Sequence, residues 1–139
     1  MAKRVLVVED NELNLKLFTD LLRAHGYAVA GVRDGREALA QARDFAPDLV
    51  ITDIQLPHVS GHELIAQLKG DLMLRDIPIL AVTAYSSRAD EDRIRGAGAA
   101  AYVSKPIALA PFMAQVKALL PEDAGIPPET TETDSSPRA

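Results

Sequence analysis

Five residues with usable chemistry stand just after short apolar runs. Glu9 and Asp10 follow Val5–Val8, Asp53 follows Leu49–Thr52, Thr83 follows Ile77–Val82, and Lys105 follows Ala99–Val103 after Ser104. Three carboxylates brought together repel one another, and burial penalises their charge further. Two remedies exist: one acid keeps its proton, or a hard divalent cation binds. Mg²⁺ suits the second, because it takes oxygen ligands, keeps several waters and is held by one or two carboxylates plus a phosphate. An aspartate beside such a metal can accept a phosphoryl group as an aspartyl-phosphate. Transfer then needs mainly positioning and charge neutralisation, for which the Lys105 ammonium and the Thr83 hydroxyl are suited. Singly, each residue has an ordinary reading: Asp10 as a helix cap, Asp53 as a turn residue before Pro57, Thr83 as a β-branched strand end, Lys105 as a partner for any acid. Jointly, the ordinary reading needs four coincidences at equivalent strand ends, and one shared site is the better account.

The elements that must position these groups alternate. The four runs above, with a weaker one at Tyr27–Val32, are apolar on both faces, as strands covered on both sides should be. Between them lie amphipathic stretches, so the order strand–helix repeats and predicts a parallel sheet with helices on both faces. In such open sheets, ligands bind beyond the carboxyl ends of the strands. Asn11 can cap a first helix over about residues 12–25, ended by Gly26. Asp34 with Glu37, and Ser60 with Glu63, have capping-box spacing for helices reaching about Asp44 and Lys69. Leu109, Phe112, Met113, Val116, Leu119 and Leu120 form the buried stripe of a last helix. A helix around Ser87–Arg95 has only Ile94, with Ala89 in support, to anchor it.

Composition bounds the rest. The chain has 139 residues, 47% of them hydrophobic, enough for one domain with a real core. Its net charge of −5 is uneven: residues 1–120 carry 14 basic and 15 acidic side chains, while 121–139 carry Arg138 against five acids. A nearly neutral body lacks the basic stripe of a dedicated DNA binder. Cysteine is absent, which excludes disulfides, thiol nucleophiles and Cys-type zinc sites. Neither a signal-peptide core nor a membrane span is apparent, so a cytoplasmic protein without membrane insertion is expected. Residues 121–139, with Pro121, Pro127, Pro128 and Pro137 among Thr, Ser and acids, read as a disordered tail after a domain of residues 1–120.

With these residues in view, the sequence resembles response-regulator receiver domains, the CheY-like family, from Val5 to Leu120. The matching segments are VLVVEDN at 5–11, DGREAL at 34–39, PDLVITDIQLPHVSG at 47–61, ILAVTA at 79–84 and AYVSKP at 101–106. The resemblance implies a (βα)5 doubly wound, flavodoxin-like fold with strand order 2-1-3-4-5. It implies that Asp53 is phosphorylated by a histidine kinase or histidine phosphotransferase. Mg²⁺, or Mn²⁺ in its place, would be held by Glu9, Asp10, Asp53 and the backbone carbonyl of Gln55. Lys105 would contact the phosphate, Thr83 and Tyr102 would form a switch pair, and the Lys105–Pro106 bond would be cis. Within the family, the opening VEDNELN and the TDIQLP segment are most like single-domain regulators of bacterial cell division and polarity. The expected function is a phosphorylation switch acting through protein contacts, recruited by kinases to the membrane or cell pole. A phosphorelay shuttle, or a receiver from a larger regulator or hybrid kinase, are the alternatives.

Other readings are weaker. Phosphatases with an Asp nucleophile place a second acid two residues on, where this chain has Gln55, so only slow self-dephosphorylation is expected. Gln55 and Tyr85 would border the water's approach and tune that rate. Gly96-x-Gly98-x-x-Ala101 leaves a helix and enters a strand, the reverse of a dinucleotide fingerprint. His58 and His62 lack a third zinc ligand, and His25 suits a helix C-terminus. On the first helix, Leu17, Phe18 and Leu21 centre the buried face, with Leu13, Leu15 and Leu22 flanking it. The arc is wider than one sheet face needs, which makes Leu15, furthest from its centre, the candidate for docking a kinase.

Overall fold

The computed structural model describes residues 2–84 and 87–120. Tyr85 and the segment 121–139 lie outside the described residues. Five strands and five helices alternate: β1 (Arg4–Val8), α1 (Glu12–Ala24), β2 (Ala28–Val32), α2 (Gly35–Phe45), β3 (Leu49–Asp53), α3 (Gly61–Lys69), β4 (Ile79–Thr83), α4 (Arg88–Ala97), β5 (Ala101–Ser104) and α5 (Leu109–Leu119). The sheet is parallel with order β2-β1-β3-β4-β5.

The runs of β1, β3 and β4 fill both faces because side chains alternate across a strand, whereas the edge strands β2 and β5, expected to be covered on both sides, are only partly buried. Val5 and Val7 join Leu49, Ile51, Leu80 and Val82 in a core closed by Phe18 and Leu22 of α1 and Phe112, Met113 and Val116 of α5. Leu6 and Val8 point the other way, into a core with Val50, Ile79 and Ala81 closed by residues of α2, α3 and α4. The register sets Val8 beside Thr52 and Asp53 beside Val82, so neighbouring strands end level with one another. Glu9, Asp53 and Thr83 are thereby delivered to one edge of the sheet.

Helix starts follow their caps. The Asn11 side chain accepts the Asn14 N–H at 2.9 Å, and Gly26 takes the left-handed conformation (φ 92°) that ends α1. Ser60 and Glu63 form a full capping box on α3. The same spacing at Asp34 and Glu37 does not. Arg36 binds the Asp34 carboxylate through its backbone N–H and its guanidinium, while Glu37 donates its N–H to the Asp34 carbonyl. An arginine two residues after the cap has taken over the carboxylate. Gly61, the first residue of α3, is required by proximity: a Cβ there would lie 2.5 Å from both the Asp53 carbonyl oxygen and the Ile54 Cα.

Two apolar stripes sit differently from their expected phase. On α1 the buried residues are Phe18, Thr19 and Leu22, while Leu13 and Leu17 are 78% and 45% exposed. Leu15 is half-buried and packs over Gly31 of β2, its Cδ1 3.0 Å from where a Cβ would stand. On α5, Phe112, Met113 and Val116 are buried but Leu109, the first residue of the helix, is 48% exposed. Ile94 is the buried anchor of α4, and Ala89 is exposed.

Candidate functional site

The site forms where β1, β3 and β4 end and where the chain leaves β5. The Glu9 N–H continues the sheet by donating to the Val32 carbonyl at 3.0 Å, which turns the Glu9 side chain inward. Glu9 and Asp53 are buried, at 1% and 3% exposure, and Thr83 is equally enclosed. Asp10 lies on the open side. One carboxylate oxygen from each of Glu9, Asp10 and Asp53 falls within 4.8 Å of the others, the metal-capable cluster among the described residues. His58 and His62 are not part of it.

Lys105 reaches into this cluster from the β5–α5 connection. Its Nζ donates to Asp53 Oδ2 at 2.9 Å and lies 3.5 Å from Glu9 Oε1. Its backbone N–H donates to the Thr83 carbonyl at 2.7 Å, so the loop carrying the ammonium is pinned to the end of β4. The Lys105–Pro106 peptide is cis. The other Asp53 oxygen accepts the Gln55 N–H at 3.2 Å, and Glu9 Oε2 accepts the Asn11 N–H at 3.2 Å.

The charges are not in balance. Burial, and after it the charge of Asp53, push the Glu9 carboxyl from 4.5 up to about 7. Burial pulls the Lys105 ammonium down, but its hydrogen bond to Asp53 and the charges of Asp53 and Glu9 outweigh that and hold it above its ordinary value. Glu9 Oε1 is buried without a hydrogen-bond partner among the described residues, although Lys105 is close enough to pair with it electrostatically. A buried acceptor of this kind is costly unless something binds it. An all-oxygen cluster with one such atom fits a hard cation, Mg²⁺ or Mn²⁺.

The remaining candidate residues divide. Gln55 is exposed, and its Oε1 accepts the Ala84 N–H at 3.3 Å across the mouth of the site. Tyr102 is held toward α4. The Arg95 guanidinium lies 5.4 Å from the ring centroid, and a hydrogen bond to Glu91 keeps the phenol above its usual range. Leu15 is remote from the site and belongs to the packing of α1 on the sheet. The residues that sequence reasoning missed are Arg33, which donates to the Asp10 carbonyl from the β2–α2 turn, and the α4 pair Glu91 and Arg95. No periodicity or motif signals contacts of this kind, since they join loops and helices distant in the chain.

Comparison with known proteins agrees with this geometry. Residues 5–117 match the response regulator receiver domain family. The chain belongs to that family. The polar-differentiation response regulator DivK of Brucella ovis is 52% identical over 120 residues, covering 86% of this chain and 98% of its own length, and DivK of Brucella abortus matches equally. Among solved structures, chemotaxis protein CheY4 of Vibrio cholerae superposes with a TM-score of 0.82 at 26% identity, over 86% of this chain and 99% of that one. The receiver domain of a signal transduction histidine kinase from Syntrophus aciditrophicus gives 0.81 at 32% identity, over 93% and 98%. This receiver is therefore a two-component signalling domain with the CheY-like strand order. Among the described residues, no helix is long and apolar enough to cross a membrane.

Proposed function

We propose that Asp53 is the phosphoacceptor of this receiver and that a phosphohistidine on a sensor kinase or histidine phosphotransferase is the donor. The observation that carries the reading is the cluster itself: three acids with oxygens within 4.8 Å, one buried Glu9 oxygen that has no hydrogen-bond partner among the described residues and faces the Lys105 charge at 3.5 Å, and the Lys105 ammonium 2.9 Å from Asp53. An Asp53 oxygen attacks phosphorus, the P–N bond breaks, and its electron pair leaves with the imidazole, which takes up a proton from solvent. Glu9, Asp10, Asp53 and the Gln55 carbonyl would hold Mg²⁺ or Mn²⁺, which when bound offsets the charge on the phosphoryl oxygens. Lys105 offsets it further, and the Thr83 hydroxyl donates to one oxygen.

The acyl phosphate carries more charge than the carboxylate it replaces, so it draws Lys105 and Thr83 toward Asp53. Tyr102 follows Thr83, leaving Glu91 and Arg95, and the face made by α4, β5 and α5 repacks. The readout is contact with partner proteins. Water attack limits the lifetime of the phosphorylated form, with exposed Gln55 at the mouth setting its rate, so the domain acts as a switch and not as a turning-over enzyme. The 52% identity to DivK supports a free-standing regulator of cell division or polarity, working in the cytoplasm and brought to the membrane or pole by its kinases. A receiver within a hybrid kinase is the second reading, supported by the structural match to a histidine kinase receiver. Rapid return of phosphate to a histidine phosphotransferase would identify a shuttle.

Acetyl phosphate with Mg²⁺ tests the central assignment. Wild-type protein gains one phosphoryl group by intact-protein mass spectrometry, and Asp53→Asn gains none. Labelling that survives the substitution refutes it.

A further inference from the structure

We infer that Arg33 is a positioning residue for the cation site, acting through the backbone of Asp10; the inference rests on the Mg²⁺ reading above. Of the three clustered acids, two are fixed through their own side chains. Glu9 is buried and accepts the Asn11 N–H, and Asp53 accepts from Gln55 and Lys105. The Asp10 carboxylate has no hydrogen-bond or ion-pair partner among the described residues, so its placement depends on the main chain that carries it. That main chain is at a transition. Glu9 still pairs with the sheet through Val32, and Asn11 already serves as the cap of α1, with its carbonyl accepting the Leu15 N–H. Asp10 belongs to neither element.

Arg33 supplies what is missing. It is the first residue after β2, and its Nε and Nη2 both donate to the Asp10 carbonyl oxygen, at 3.3 and 3.2 Å. An exposed arginine with acids nearby would ordinarily pair with one of them. Asp34 beside it is already taken by Arg36. Arg33 makes no ion pair among the described residues, and both its hydrogen bonds go to that one neutral carbonyl. The fork closes the gap between the β1–α1 and β2–α2 connections and fixes the peptide from which the Asp10 side chain projects.

The positional role and the bare charge of Arg33 have opposite effects on a cation. A positive charge beside the cluster repels Mg²⁺, so removing it should tighten binding if charge were all that mattered. If Arg33 holds Asp10 in place, removing it weakens binding, by about fivefold for the loss of one such hydrogen bond. The experiment is calorimetric titration of Mg²⁺ into wild type, Arg33→Ala and Arg33→Lys, with thermal unfolding in EDTA to confirm that each is folded. The alanine variant is expected to bind about fivefold more weakly, and the lysine, which retains reach and a donor, to return within about twofold of wild type. Alanine binding that equals or exceeds wild type overturns the inference and leaves the cation site standing. A wild-type protein that shows no Mg²⁺ binding removes both.

Discussion

Replacing Glu9 by glutamine isolates the charge that the metal-free site tolerates poorly. The Glu9 carboxyl titrates at about 7 in the folded protein against an ordinary 4.5, because it is buried and faces Asp53. Below the lower value both folded and unfolded chains are protonated there, and the group costs nothing. As pH rises through 4.5 the unfolded chain ionises while the folded protein keeps its proton, so stability falls until the folded group ionises near 7. The loss then levels off at about 3 kcal/mol, taking roughly 1.4 kcal/mol per pH unit over that window. Glutamine cannot ionise and escapes the loss. In EDTA, Glu9→Gln should therefore exceed wild type in stability by about 3 kcal/mol near pH ~8, and by about half of that near pH ~5.5. Urea denaturation followed by far-UV circular dichroism reads this directly as a shift in midpoint of roughly 1–3 M at alkaline pH. A gap that is the same at both pH values would refute the reasoning, because any packing effect of the amide is independent of pH. So would a variant less stable than wild type at the higher pH.

Two substitutions test other parts of the structure. Gly61→Ala should destabilise the domain by about 3 kcal/mol in urea denaturation and slow acetyl-phosphate labelling, because its methyl group meets the backbone that carries Asp53; an unchanged midpoint would mean that α3 and the Asp53 turn separate freely. Leu13→Asp should leave stability within about 0.5 kcal/mol yet slow phosphotransfer from a kinase roughly tenfold, whereas Leu15→Asp should cost about 2 kcal/mol by putting a charge against β2; equal transfer rates for wild type and Leu13→Asp would remove α1 as the docking surface.

The order of elements was legible because burial on both faces leaves an unmistakable mark. Val5, Leu6, Val7 and Val8 are all fully buried, two into each core, and no helix face or half-exposed strand reads that way. The site was legible for a related reason: polar residues directly after such runs must lie at one edge once the strands are parallel and level. Phase was harder. The first helix carries Leu13, Leu15, Leu17, Leu21 and Leu22 around most of its circumference, so hydrophobicity alone does not fix which leucines face the sheet. Contact with Gly31, which only the sheet register reveals, turns Leu15 inward and leaves Leu13 and Leu17 outside. Asp34 still caps α2, but the capping box with Glu37 does not form because Arg36 binds the Asp34 carboxylate through its backbone N–H and its guanidinium, a competitor the spacing pattern does not consider. Arg33 and the Glu91–Arg95 clamp on Tyr102 were beyond any local pattern, since they exist only after the loops and helices have been brought together.

What unites the site is a local excess of negative charge within a nearly neutral body. Three carboxylates against Lys105 leave two uncompensated charges when all are ionised, and two of those carboxylates are sealed from water. Without a cation, the excess is relieved by a proton on Glu9, and Glu9 is the group whose affinity for a proton is raised to about 7. A dication offers the other remedy at the same oxygens, so proton and metal compete, and metal affinity should climb as pH rises through 7. Under the proposed function, phosphorylation of Asp53 would add negative charge to a site that a dication would bring to balance, and the groups able to answer it are those already at its edge, Lys105 and Thr83. Both are tied to the same few residues of β4 and β5, through the bond from the Lys105 N–H to the Thr83 carbonyl. On that proposal, an electrostatic change at Asp53 would be delivered to the β4 and β5 ends, where Tyr102 and the weakly anchored α4 adjoin them, and not to the well-packed core beneath.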